Sequence, residues 1–192
     1  QMLRSDNFMV IDSSTKRNLE IEKSVSGDKR FSLLSIINKT VTPSGSRLLS
    51  LYLNMPLLDP AAINNRLDVI SFFIKYEQLR LNIRNSLKQF GDIERALGRI
   101  CIGKAELRDL AAIRNGLVVA TNVSQQLSFS GFEMPSNLNV SLSQLSGFGE
   151  IIAILESTLR SELPATLKNG NFVSEGFNVE LDSLYELKNS GS

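Results

Sequence analysis

The sequence predicts a mostly α domain, a multi-helix, bundle-like body with a few short β-strand residues. Apolar residues recur at spacings of three and four over long runs, as in Leu79, Ile83, Leu87 and Phe90. Ser, Thr or Asp stands at the head of several runs, where a side-chain oxygen accepts from the unpaired amides of a first turn. Strand-like runs are few and short: Met9-Val10-Ile11 and Phe172-Val173.

In order, Asp12-Ser13-Ser14 is a capping cluster, and Thr15 to Leu19 forms one to two helical turns. Ser24 to Asp28 reads as a loop. Phe31 to Ile37 reads as a short apolar helix, with Phe31, Leu34 and Asn38 on one side. The stretch from Thr42 to Arg66 organises the rest, because it holds two helix starts of one design. Thr42-Pro43 and Asp59-Pro60 each put an oxygen acceptor before a proline, which sits where a missing N–H costs nothing. Leu48, Leu49, Tyr52 and Leu53 share one face after the first start, and Ile63, Leu67, Ile70 and Ile74 share one after the second. Pro56 stops the first helix at Met55. The expectation is a helical corner with both apolar faces meeting one core.

The second helix of the corner is expected to reach about Tyr76, followed by a continuing one through Phe90. Gly91 ends it and Asp92 caps the next, whose inner face reads Ile93, Leu97, Ile100 and Cys101, with Cys101 a small core residue. After Gly103 the longest helix runs from Ala105 to about Leu127, its face made by Leu107, Leu110, Ile113, Leu117, Ala120, Val123 and Leu127. Beyond a polar loop, Leu138 to Leu145 reads as a short helix. Phe148 to about Arg160 reads as a firmer one, with Ile151, Ile152, Leu155 and Leu159 facing in. Lys168-Asn169-Gly170-Asn171 is a hairpin-type turn. A last helix after Asn178 is still running at Lys188, and residues 189–192 read as a tail foreign to the domain.

Composition removes several classes of function. The chain of 192 residues suits about one domain of roughly 150 residues. With no histidine it lacks the commonest general base and metal ligand, and with them the Ser-His-Asp and Cys-His arrangements. One cysteine excludes an internal disulfide and fits a reducing compartment. No apolar run approaches the length of a membrane helix. Charge is close to balance, at 21 Lys and Arg against 20 Asp and Glu, so direct nucleic-acid binding is expected to be slight. Arg17, Arg30, Arg47, Lys16 and Lys29 are scattered over unlike elements and read as solvated surface. Phe148-Gly149-Glu150 is a chance Phe-x-Glu match in a chain with ten Phe.

The densest charged group is Asp92, Glu94, Arg95 and Arg99, followed by Glu106, Arg108 and Asp109. The acids sit near helix N-termini, where anions are favoured, and Arg95 and Arg99 lie one turn apart. Asp92, Glu94, Arg95, Arg99, Arg108 and Asp109 are therefore expected to act as caps and interhelical ion pairs. A catalytic carboxylate pair would need a pocket and a proton-transfer partner, and the sequence names neither.

Taken together, Ile11 to Ile21, Thr42 to Arg66, Gly91 to Arg99 with Leu107-Arg108-Asp109-Leu110, and Gly176 to Asp182 resemble the DNA mismatch-repair MutS family, in its order and at its spacing, over nearly the whole chain. The resemblance implies that residues 1–188 are the first part of the core, or lever, domain. This α-helical piece lies between the connector domain and the DNA clamp and has no active site. It implies partners in the same chain (connector, clamp and ATPase domains), a parent that is a cytoplasmic bacterial homodimer on DNA, and coupling of the ATPase to the clamp and mismatch-binding ends. No cofactor is implied here, since ATP and Mg belong to the ATPase domain. Tyr52 stands where the family often has Trp, and Lys104-Ala105-Glu106 replaces a proline-containing approach to Leu-Arg-Asp-Leu. The Gly-rich phosphate loop, the mismatch-reading domain and the clamp are absent, so ATP hydrolysis and lesion recognition carry over to no residue. The alternative is a free-standing helical adaptor that binds another protein through a groove.

Overall fold

Side-chain caps set where the helices begin. In the computed structural model, which describes residues 7–164 and 170–190, the first short helix, α1 (Ser13–Asn18), opens on Asp12. The Asp12 carboxylate takes the amides of Ser14 and Thr15 at 2.8 and 2.9 Å and both hydroxyls besides. Those four donors hold it well below the usual carboxylate range, the Thr15 hydroxyl most of all. A 3-10 turn over Lys29–Phe31 leads into α2 (Leu33–Ile37), so the expected Phe31–Ile37 helix is split at its cap, Ser32.

The corner forms as its sequence dictates. Thr42 Oγ1 accepts from the Gly45 amide at 3.0 Å to start α3 (Pro43–Asn54), and Asp59 accepts from Ala61 at 3.0 Å to start α4 (Pro60–Lys75). Met55 leaves the helix at φ −136°, ψ 70°, as a residue before proline must. Tyr76 breaks the run into α5 (Glu77–Leu87) without glycine or proline. Arg80 Nη1 donates to the Phe73 carbonyl at 2.7 Å, satisfying an acceptor freed by that break. Next come α6 (Ile93–Cys101), α7 (Leu107–Ser128), α8 (Ser136–Ser143), α9 (Gly149–Thr158) and α10 (Val179–Ser190). The last helix runs two residues into the expected tail.

The expected strands shrink to isolated bridges, Phe8 with Leu57 and Leu159 with Val173. Of the expected hairpin turn, Lys168 and Asn169 lie outside the described residues. Gly170 and Asn171 have φ of +64° and +59°, the left-handed region that such a turn uses.

The chain divides into two compact units. One holds the described residues up to Lys88 together with Val123–Gln144, and the other holds Gln89–Asn122 with those from Leu145 onward. The first is centred on Phe72, which meets Phe73 and Tyr76 edge-on, with ring centroids 5.3 and 4.9 Å apart. Tyr76 in turn stacks on Phe132 at 3.8 Å. Ile21, Ile83, Val123 and Leu127 are buried in the same unit. The second unit buries Ala96, Leu107, Ile113, Val119, Ala120 and Leu159, of which Leu107, Ile113 and Ala120 lie on the expected face of α7.

Four expected inner faces are corrected. On α4, Ile63, Leu67, Ile70 and Ile74 are all exposed, up to 67% for Ile74, and on α3 Leu48 and Tyr52 are exposed too. Among the described residues nothing covers that stripe. Phe72 is buried instead, and the Tyr52 ring lies 3.7 Å beneath the Arg66 guanidinium, a cation–π contact. On α6, Leu97 and Cys101 face out, and the buried residue is Ala96. That helix is turned toward the side from which Arg99 reaches α7. On α9, Ile151 is half exposed while Leu159 is buried.

The close approach of α6 to α7 rests on Gly116, a glycine that no local motif singles out. A Cβ on Gly116 would lie 2.2 Å from Ile93 Cδ1 and 2.7 Å from its Cγ1. Helix propensity favours alanine there by about 1 kcal/mol, but overpacking costs about 1–3 kcal/mol. Gly116→Ala is therefore expected to lower thermal stability, and Ile93→Ala in the same molecule to recover part of the loss. A Gly116→Ala variant as stable as the parent in a melting experiment would contradict this packing.

Candidate functional site

The joint between α6 and α7 carries most of the charged residues the sequence singled out. Asp109, the third residue of α7, has a side chain only 1% exposed. An ionised carboxylate so placed demands partners. Arg99, in the last turn of α6, supplies a two-pronged guanidinium: Nε donates to Oδ2 at 2.8 Å and Nη2 to Oδ1. The Glu106 amide donates to Oδ2 at 2.9 Å, so Asp109 also plays the back-reaching half of a capping box for its own helix. The Arg99 fork holds the Asp109 carboxyl down at about 2, against the opposing effect of burial, and the Glu106 amide helps. The same bond raises the Arg99 pKa.

The other expected site residues are surface features. Asp92 caps α6 through a long bond from the Arg95 amide, 3.4 Å, and pairs with Arg95 Nε at 3.4 Å, where Arg95 is 69% exposed. Glu94 lies in the first turn of α6, favourably placed toward the helix N-terminus. Arg108 pairs with Glu106 at 2.7 Å, both largely exposed. Of the six, the structure joins Arg99 to Asp109 and Asp92 to Arg95. None of them lines any of the concavities described on the surface. The arrangement can pin helix ends; it offers no converging acid and base.

Sequence reasoning missed the other ties. Glu22 accepts from Ser50 Oγ and Asn54 Nδ2, both at 2.8 Å, linking the segment after α1 to α3. Arg84 Nη2 donates to the Lys39 carbonyl at 2.8 Å, and Gln126 Nε2 to Ser86 Oγ at 2.8 Å. In the second unit Arg160 Nε reaches the Val173 carbonyl at 3.0 Å, and the Arg160 carbonyl accepts from Arg114 Nη1 at 3.2 Å. No local pattern encodes such long-range pairs. Among the described residues no group of three or more His, Cys, Asp or Glu is placed to hold a metal, and no helix is long and apolar enough to cross a membrane.

An α-helical segment is what the sequence resemblance implies, and comparison with known proteins decides the family. The family model described as MutS domain III matches residues 14–189. The chain belongs to that family. Curated relatives named DNA mismatch repair protein MutS include that of Ruegeria pomeroyi, 38% identical over 97% of this chain and 21% of its own length. Those of Rickettsia rickettsii, at 35% over 100% and 22%, and Caulobacter vibrioides, at 38% over 95% and 21%, are similar. The chain thus spans about a fifth of the length of the MutS relatives it matches.

Because its native pKa lies below the ordinary 3.8, Asp109 stabilises the fold fully above that value and ceases to as pH falls through about 2. About 2 kcal/mol should be lost across that window, and Asp109→Asn should remove the acid-sensitive step while costing about 2–4 kcal/mol at neutral pH. Arg95→Met, at an exposed pair, should cost no more than about 1 kcal/mol. Denaturant titrations at a series of pH values check all of these, and equal losses for Asp109→Asn and Arg95→Met would refute the assignment.

Proposed function

We propose that this chain is the stiff transmission segment of a MutS mismatch-repair protein: the first part of the core, or lever, domain, spanning residues 1–188. On this reading it passes conformational changes between the ATPase domain and the clamp and mismatch-binding ends, without a catalytic site of its own. The observation that supports this best is the α6–α7 joint. Its two helix ends are locked by a buried carboxylate that accepts from the Arg99 guanidinium and the Glu106 amide, a joint that resists continuous bending and favours discrete arrangements. The parent would be a cytoplasmic homodimer on mismatched DNA, with ATP and Mg held in its ATPase domain, and the partners of this segment would be the connector, clamp and ATPase domains of the same chain.

The exposed stripe on α4 fits the same reading, since the return half of the core would supply the missing cover. Contiguous apolar patches of this kind are unusual on a free-standing monomer.

The decisive experiment loosens the joint in the full-length protein. Asp109→Asn, assayed below its melting temperature, should leave ATP and mismatch binding in place while weakening the dependence of ATP turnover on DNA. Unchanged coupling in a variant shown to be destabilised would defeat the lever reading. For the 192-residue chain alone, we expect no ATP turnover and duplex binding no tighter than the non-specific range of roughly 10⁻⁴–10⁻⁶ M. We also expect concentration-dependent self-association with uptake of an apolar dye. A strictly monomeric species in light scattering, with no dye bound, would contradict an uncovered apolar face.

A further inference from the structure

We propose that the concavity between α1 and the Ser24–Asp28 loop is a binding site for a phosphate group. It has a volume of about 550 Å³ and brings Lys16, Arg17 and Lys23 together with serine hydroxyls. In the sequence, Lys16 and Arg17 read as solvated along with Arg30. The structure separates them: Arg30 is held by Asp28 at 2.7 Å, whereas Lys16 and Arg17 gain Lys23 as a third cation.

Charge in the concavity is only partly compensated from within. The one carboxylate in its lining is Glu22, which accepts from Ser50 and Asn54 and also feels Lys16 and Lys23; just outside the lining, Glu20 accepts from the Val25 amide at 2.6 Å. The lining itself holds three positive charges against one negative. Arg17 is also unlike the other described arginines. Those reach a carboxylate, a backbone carbonyl or an aromatic ring, as Arg30, Arg84 and Arg66 do, or are otherwise engaged, as Arg47 is. Among the described residues Arg17 has no such contact. An unengaged guanidinium beside two ammonium groups and hydroxyl donors is the donor set that a tetrahedral oxyanion takes.

The wall of the site is fixed by its own bonds. The Ser24 amide donates to the Asp28 carbonyl at 3.0 Å and the Gly27 amide to the Ser24 carbonyl at 2.8 Å, with Ser24 itself buried. At Gly27 the backbone is left-handed, at φ +85°, and a Cβ there would meet nothing within 4 Å, so the rim is open to a ligand. No aromatic ring lines the concavity, so it has no platform for stacking a base. It would take phosphate irrespective of sequence, either from a small phosphate compound or from the backbone of a duplex. This proposal does not depend on the lever reading.

The test is a titration of the ¹⁵N-labelled chain, first with inorganic pyrophosphate and then with a short DNA duplex, following the amide signals of Ser24, Ser26 and Gly27. Saturable shifts at these amides are expected. The Lys16→Gln, Arg17→Gln, Lys23→Gln triple variant should weaken binding roughly tenfold or more and flatten its salt dependence. Its melting temperature should hold, because none of the three side chains is buried. Glu22→Gln should tighten binding by removing the opposing charge. Shifts with both probes assign the site to backbone phosphate, and shifts with pyrophosphate alone assign it to a small phosphate compound. Absence of saturable shifts with either probe, or shifts undiminished in the triple variant, would overturn the proposal.

Discussion

One buried negative charge constrains the second unit of this chain. The Asp109 carboxylate is almost wholly removed from solvent, and an ion in that position is tolerable only with its lone pairs matched by donors. Meeting that demand fixes several things together. Arg99 has to approach from the end of α6, which turns that helix so that Ala96 rather than Leu97 enters the interior. The Glu106 amide has to point back along α7, which sets where that helix starts. The two helices must then run close together, and Gly116 opposite Ile93 gives them room. An apolar pair would hold the helices as firmly, but it would not dictate their rotation. Directionality is what the ion pair adds.

The first unit is organised by a different device. There the ties are hydrogen bonds from polar side chains to groups far along the sequence, such as Glu22 with Ser50 and Asn54, Arg84 with Lys39, and Gln126 with Ser86. Each is modest alone, since a net hydrogen bond contributes about 1 kcal/mol. Their value is positional: Glu22 and Arg84 fasten connecting segments to helices, and Gln126 ties α7 to α5. Together with the caps on Asp12, Ser32, Thr42 and Asp59, they leave few helix starts free to fray.

What was legible in the sequence follows from how local each signal is. Caps and prolines act within four residues, so α3 and α4 begin at the residues their sequences announce. The face of α7 was legible because a helix of 22 residues repeats its pattern over six turns. The inner faces of α4 and α6 were misread for opposite reasons. On α6 a charged residue outranked the apolar ones, since Arg99 had a buried partner to reach ten residues on. On α4 the apolar stripe is real, but among the described residues nothing covers it. Periodicity reports that a face is apolar and is silent on what covers it. The sequence expected caps or ion pairs of all six candidate site residues, and the structure pairs Arg99 with Asp109. The sequence ranked Asp109 with less buried neighbours because burial depends on contacts that no local pattern carries.

The α4 stripe and the α6–α7 joint, taken together, say what kind of selection acts on such a chain. A domain evolved to stand alone would be expected to bury Ile63, Leu67, Ile70 and Ile74 or replace them, since exposed apolar area promotes association. It would have little reason to bury a charge where hydrocarbon would do. This chain does the reverse on both counts. Apolar residues stay where a free monomer gains nothing from them, and a buried ion pair stays where its chief contribution is a defined rotation. Both choices suit the proposed reading, a part whose orientation and outer faces are set by a larger body, and the chain matches about a fifth of its relatives' length. On this view the residues that matter most are those that fix angles, and the chemistry they serve lies on other residues of that larger body.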